Sequence, residues 1–149
     1  MTRIRTNRRA DEQTVPGGTV REVIEQAKQL APTNTFLVAP ESGRVLNYVD
    51  LEQHARRVSQ HLYSLGLRKG DVVSLMLGNG PGTVELILGI MYGGFVCAPL
   101  NTGSGLSQLT YVLDHSSTGI VFVSGDCEEQ LREALASVTR EVRIVVTNV

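Results

Sequence analysis

The chain has 149 residues, the size of one ordinary domain, and its 42% apolar content can fill a core without disulfides or a structural metal. Fourteen basic residues against 15 acidic ones leave a formal net charge of −1, so nothing in the balance points to nucleic acid or another polyanion as partner. No apolar run approaches the ~18 residues of a membrane span, and Cys97 and Cys127, with no CxxC or Cys/His pairing, read as reduced, packed thiols of a cytoplasmic protein.

The opening MTRIRTNRR carries Arg3, Arg5, Arg8 and Arg9 and runs through Asp11 and Glu12 into Pro16-Gly17-Gly18. Residues 1–18 are therefore predicted to be a flexible basic tail, with the folded unit over 19–149. The tail has no apolar h-region, and its two acids fit an organelle transit peptide badly. Thr19-Val20-Arg21-Glu22 is a capping box, in which hydroxyl and carboxylate each satisfy an orphan backbone N–H. Val20, Val23, Ile24, Ala27 and Leu30 follow at helical spacing, and the helix must stop before Pro32. TFLVAP (35–40) and RVLNY (44–48) are β-prone runs around the turn Glu41-Ser42-Gly43, which predicts a hairpin decorating one end of the main sheet.

Leu51, Ala55, Val58, Leu62 and Leu65 recur at steps of four and three, predicting a helix with Asn47 as N-cap and Gly66 just past its end. Asp50 and Glu52 fall in its first turn, where the helix dipole favours acids. From Val72 onward, unbroken apolar runs alternate with helix-like pieces in a βαβαβαβ rhythm. Strands buried on both faces and separated by crossover helices pair in parallel, so the fold class is α/β: a doubly wound, mostly parallel sheet with flanking helices and a small N-terminal hairpin. The helix near 82–92 is apolar nearly all round, which calls for cover on more than one side.

Gly78-Asn79-Gly80-Pro81-Gly82-Thr83 begins like a dinucleotide fingerprint between strand and helix, but the third glycine comes one position early. Pro81 removes a donor from the first turn, and the next strand, FVCAPLN, has no acid at its end for a ribose. A tight turn with Asn79 or Gly80 as cap explains the same residues. The loop NTGSGLS at 101–107 lacks the Lys-Ser/Thr end of a P-loop and reads as a helix start capped by Ser104. His54 and His61 share a helix face but stand nearly two turns, ~10 Å, apart, too far for joint metal ligation. They read as surface or boundary residues. His115, after Asp114, suits a helix C-terminus, and Glu128 and Glu129 suit a helix start. No catalytic, cofactor-binding or metal residue is assigned.

Four features, taken in order, carry a resemblance: Tyr48-x-x-Leu51 at a helix start; Gly66-x-x-x-Gly70-Asp71 turning into a strand; Asn79 at the head of a buried helix; and Gly93-Gly94 leading to Pro99-Leu100-Asn101. Over roughly 33–147 the chain resembles the opening part of the AMP-forming acid ligases, the superfamily of acyl-CoA synthetases, peptide-synthetase adenylation domains and luciferases. It departs from the usual pattern at Asn47, where many members have Thr, and at Thr102-Gly103-Ser104-Gly105. The resemblance implies an enzyme that uses ATP, magnesium and CoA to turn a carboxylic acid into an acyl-adenylate and then a thioester. It also implies that the phosphate-binding loop, the ribose-binding Asp and the catalytic Lys lie beyond these residues. The chain alone is then expected to be architectural and catalytically silent, with the rest of the ligase as its partner and a tendency to self-associate. A peptide-synthetase adenylation domain, a fatty acyl-AMP ligase, a free-standing scaffold and a nucleotide-binding oxidoreductase module are the alternatives.

Overall fold

The computed structural model describes residues 18–148, so all but the last residue of the expected basic tail lies outside the described residues. In chain order the elements are α1 (Val20–Leu30), β1 (Thr35–Ala39), β2 (Arg44–Asn47), α2 (Tyr48–Ser64), β3 (Val72–Met76), α3 (Pro81–Tyr92), β4 (Val96–Pro99), α4 (Leu106–His115), β5 (Thr118–Val123), a 3-10 turn at Gly125–Cys127, α5 (Glu128–Leu135) and β6 (Arg143–Val146).

The helix ends follow from local chemistry. Thr19 Oγ1 accepts from the Glu22 N–H while the Thr19 N–H donates to Glu22 Oε2, and Asn47 and Asp50 repeat this reciprocal pair at the head of α2. At the far end of α2, Gly66 takes φ +90°, a left-handed conformation that glycine tolerates. The Gly66 and Leu67 N–H groups then reach back to the Tyr63 and Leu62 carbonyls, closing a Schellman motif in which Leu62 and Leu67 pack in one cluster.

Strands β3 to β6 form one parallel sheet in the order β4-β3-β5-β6. Alternate residues face opposite layers. Val73, Leu75, Ile120 and Phe122 pack with Leu62, Ile90 and Phe95 on the α2–α3 side, whereas Met76, Val121 and Val123 pack with Leu109, Leu113, Leu131 and Ala134 on the α4–α5 side. This two-sided burial is why the strands read as unbroken apolar runs. The hairpin β1–β2 forms, but as a separate antiparallel pair. It does not extend the main sheet: it packs on α2 and α3, with Phe36 beside Tyr48 in a third cluster around Ile24, Leu51, Ala55 and Tyr92. Helix α3 is thus covered by the sheet, α2, α1 and the hairpin. Gly89 lets α3 lie directly on α2, its backbone against Val58.

Candidate functional site

An open parallel sheet presents ligands at the carboxyl ends of its strands, where the strand order reverses. Here the chain leaves β3 for β4 on one side and returns past β3 to β5 and β6 on the other, so the reversal lies between β3 and β5. A cavity of about 360 Å³ opens at this point, lined by Gly78 and Asn79 after β3, Ser124, Gly125 and Asp126 after β5, and Thr147 and Asn148 after β6. The Ser124 and Thr147 N–H groups continue the ladder onto the Met76 and Val123 carbonyls, which fixes the rim. An adjoining cleft of about 380 Å³ between β3, α3 and the end of β4 has Leu75, Leu77, Ile87 and Pro99 on its walls and Asn79, Thr83, Asn101 and Thr102 among its polar groups. A larger cavity of about 520 Å³ sits at the amino ends of β3 and β5, beside Asp71, Glu141 and Arg143. That is the wrong end of the sheet for the switch-point geometry.

The glycine loop after β3 closes on itself. Gly80 is the N-cap of α3 in extended conformation, Pro81 takes the first helical position, and the Thr83 hydroxyl donates to the Gly78 carbonyl at 2.7 Å. The second loop departs from expectation: Gly105, not Ser104, is the N-cap of α4. Asn101 Oδ1 accepts from the Gly103 N–H and the Asn101 carbonyl from the Ser104 N–H, so Ser104 is held inside a turn, one residue short of the cap. Its carbonyl accepts from Gln130 Nε2 at 2.8 Å, tying the loop to α5.

The histidines fall apart as a group. His54 is half-buried with Nδ1 at 2.5 Å from Glu85 Oε2 on α3, whereas His61 is exposed. Arg44 Nη2 lies 2.7 Å from Glu85 Oε1, an ion contact off the line of a hydrogen bond, so the pair clasps β2 to α3 by charge. His115 ends α4, stacked on Tyr111 with centroids 4.0 Å apart. Glu128 and Glu129 open α5, and Glu128 accepts from Arg132 at 2.8 Å. Cys97 and Cys127 are free, and burial pushes the Cys97 thiol up, away from the reactive thiolate. Among the described residues there is no group of three potential metal ligands.

One cluster was not legible in advance. Glu52, read as a first-turn acid, is 3% exposed and turned inward. Its oxygens accept from Lys28 at 3.0 Å, from Arg56 and from the Tyr92 hydroxyl at 3.3 Å. Burial alone would push the Glu52 carboxyl up, but the hydrogen bonds and charges of Lys28 and Arg56 outweigh it and hold the group below its ordinary value. Burial, then the hydrogen bond to Glu25 at 2.7 Å, pushes the Tyr92 hydroxyl up to about 12. The i, i+4 spacing of Glu52 and Arg56 was the available signal.

The lining of the switch-point cavity does not fit the phosphates of ATP: its charged side chain is the carboxylate of Asp126, and neither Lys nor Arg is among its residues. Identity comes from the whole chain instead. A family model described as AMP-binding enzyme matches residues 24–149. The chain belongs to that family. It is 37% identical over 116 residues to sulfoacetate–CoA ligase of Cupriavidus necator, a match that covers 78% of this chain and 23% of that protein. An uncharacterized protein of Mycobacterium tuberculosis is 30% identical over 112 residues, covering 75% of this chain and 62% of its own length. Among solved structures, a putative long-chain-fatty-acid CoA ligase from Rhodopseudomonas palustris superimposes with a TM-score of 0.79 at 22% identity, over 91% of this chain and 34% of that one. The last likeness establishes the fold. This chain thus spans about a quarter of the length of the sulfoacetate ligase, and among the described residues no helix is long and apolar enough to cross a membrane.

Proposed function

We propose that the chain is the front layer of an ATP-dependent acid–CoA ligase, an enzyme that adenylates a carboxylic acid and passes the acyl group to the CoA thiol, and that by itself the chain is catalytically silent. The observation that carries this reading is the switch-point cavity. It stands where an open sheet presents ligands, yet Asp126 is the charge it offers. Stabilising an in-line displacement at phosphorus takes cationic donors and a metal site, and the rim holds one carboxylate and neither Lys nor Arg. Its neutral hydroxyls and carboxamides suit the edge of a site whose charged parts come from another segment. Similarity to a CoA ligase favours CoA over a carrier-protein thiol as acceptor. The M. tuberculosis relative, of which this segment makes up 62%, favours a second reading, a free-standing module of this fold.

The test is ATP titration by calorimetry, with pyrophosphate release followed over a panel of carboxylic acids. It is run on this chain and on the longest polypeptide of its reading frame. The longer protein is expected to release pyrophosphate in an acid-dependent way while the chain alone neither binds nor reacts. Specific ATP binding by the chain alone refutes the silent-layer reading and supports the free-standing module.

A further inference from the structure

Helix α1 is joined to the rest of the fold by a narrow apolar contact and by a stripe of charged side chains. Among the described residues Ile24 is its buried side chain and Val20 packs half-buried in the same cluster, while Val23 and Leu30 are 41% and 78% exposed. Three side chains on one stripe, Arg21, Glu25 and Lys28, make the polar attachments. Arg21 Nε donates to the Tyr92 carbonyl at 3.2 Å, and its guanidinium lies 4.7 Å from the centroid of the Tyr92 ring. The Tyr92 hydroxyl donates to Glu25 Oε1 at 2.7 Å, and Lys28 Nζ donates to Glu52 Oε2 at 3.0 Å. Lys28 keeps 39% of its side chain in solvent, so its ammonium remains within reach of counterions.

The chain just past α1 is held separately. The Pro32 carbonyl accepts from the Val49 N–H at 3.2 Å and the Ala31 carbonyl from the Asn34 N–H at 3.1 Å. Motion of α1 therefore need not disturb the hairpin. Ala31, outside the helical range at φ −147° and ψ 58°, stands at the joint.

We propose that α1 is a releasable strap: it lifts as a unit ahead of α2, α3 and the sheet when its charge contacts are screened, and in lifting it uncovers Tyr92, Leu51 and Ala55. The reason is a difference in what holds each layer. Salt weakens an ion contact in proportion to its exposure, so screening acts here through the part-exposed Lys28 ammonium and leaves apolar packing nearly untouched, and segments with few buried apolar contacts open below the global unfolding energy. The buried neighbours in α2 and α3 carry Glu52 and Tyr92 as the strap's anchor points.

The experiment is native-state amide hydrogen exchange on the whole chain, at about 0.01 M and about 1 M sodium chloride, where the screening length falls from ~30 Å to ~3 Å. The amides of Lys28 to Ala31 are expected to exchange about tenfold or more faster than those of Ser59 to Leu62 in α2. That gap should widen several-fold in high salt, and at low salt in Lys28→Met, which keeps the stem and removes the charge. Equal protection of α1 and α2 overturns the proposal. So does fast exchange in α1 that ignores both salt and Lys28→Met, since that is ordinary fraying of a helix end. If Lys28→Met fails to fold, the salt series on the unaltered chain decides.

Discussion

Gly89→Ala adds one methyl group where α3 crosses α2, and the structure sets what it meets. A Cβ at residue 89 would stand 2.4 Å from Val58 Cβ, 2.6 Å from Cγ1 and 3.0 Å from Cγ2, against the ~3.5–4.0 Å of an ordinary carbon contact. The nearest atom is Val58 Cβ, which no rotamer change can move, so the helices must part by about 1 Å. Alanine gains ~1 kcal/mol of helix propensity over glycine, but overpacking costs ~1–3 kcal/mol. The expected net is destabilisation of up to ~2 kcal/mol, read as a lower urea midpoint at unchanged m-value in circular dichroism. Val58→Gly removes all three contacts and Val58→Ala only the two methyls. The double mutant Val58→Gly/Gly89→Ala should therefore show strong favourable coupling, ~1–3 kcal/mol, and Val58→Ala/Gly89→Ala a smaller one. A coupling of zero in the first cycle refutes the close crossing.

The polar cluster gives two pH limbs of opposite sign. Because the folded Glu52 carboxyl lies below its ordinary 4.5, its contribution is fully present above that pH and is lost as pH falls through the lowered value; Glu52→Gln should flatten this acid limb in urea titrations and cost ~1–3 kcal/mol at pH 7. Tyr92 runs the other way: with its hydroxyl raised from 10 to about 12, the folded state holds the proton longer, so stability declines as pH rises from 10 to 12, and Tyr92→Phe should abolish that decline. Arg140 donates to the Leu113 and Asp114 carbonyls at the end of α4 and to the Thr118 carbonyl at the start of β5, so Arg140→Met should lower the urea midpoint by ~1 kcal/mol equivalent. Asn47→Ala removes the side-chain half of the α2 capping box, the acceptor for the Asp50 N–H, and should cost ~1 kcal/mol, visible as a lower thermal midpoint.

Periodicity and capping are local, and they survived into the structure. Thr19 and Asn47 start helices because their side chains reach N–H groups three residues away, and Gly66 ends one because it accepts a positive φ. Ser104 failed as a cap for a reason of the same range: Asn101 competes for the turn with its own carboxamide, a contest between neighbours that residue type alone does not rank.

The sequence by itself determined the α/β class, the parallel rhythm of β3 to β6 and the ligase resemblance, since burial on both faces leaves a continuous apolar run that can be read along the chain. Tertiary structure decided where the hairpin lies, on α2 and α3 and not on the sheet. It also decided that Glu52 turns inward to Lys28 and Tyr92, and that Ser74 and Thr118, 44 residues apart, share a buried hydroxyl contact at 2.7 Å between two strands. Such pairings depend on which faces meet once the helices pack. A charged or hydroxyl side chain looks the same in a sequence whether its partner is water or a residue brought beside it by the fold.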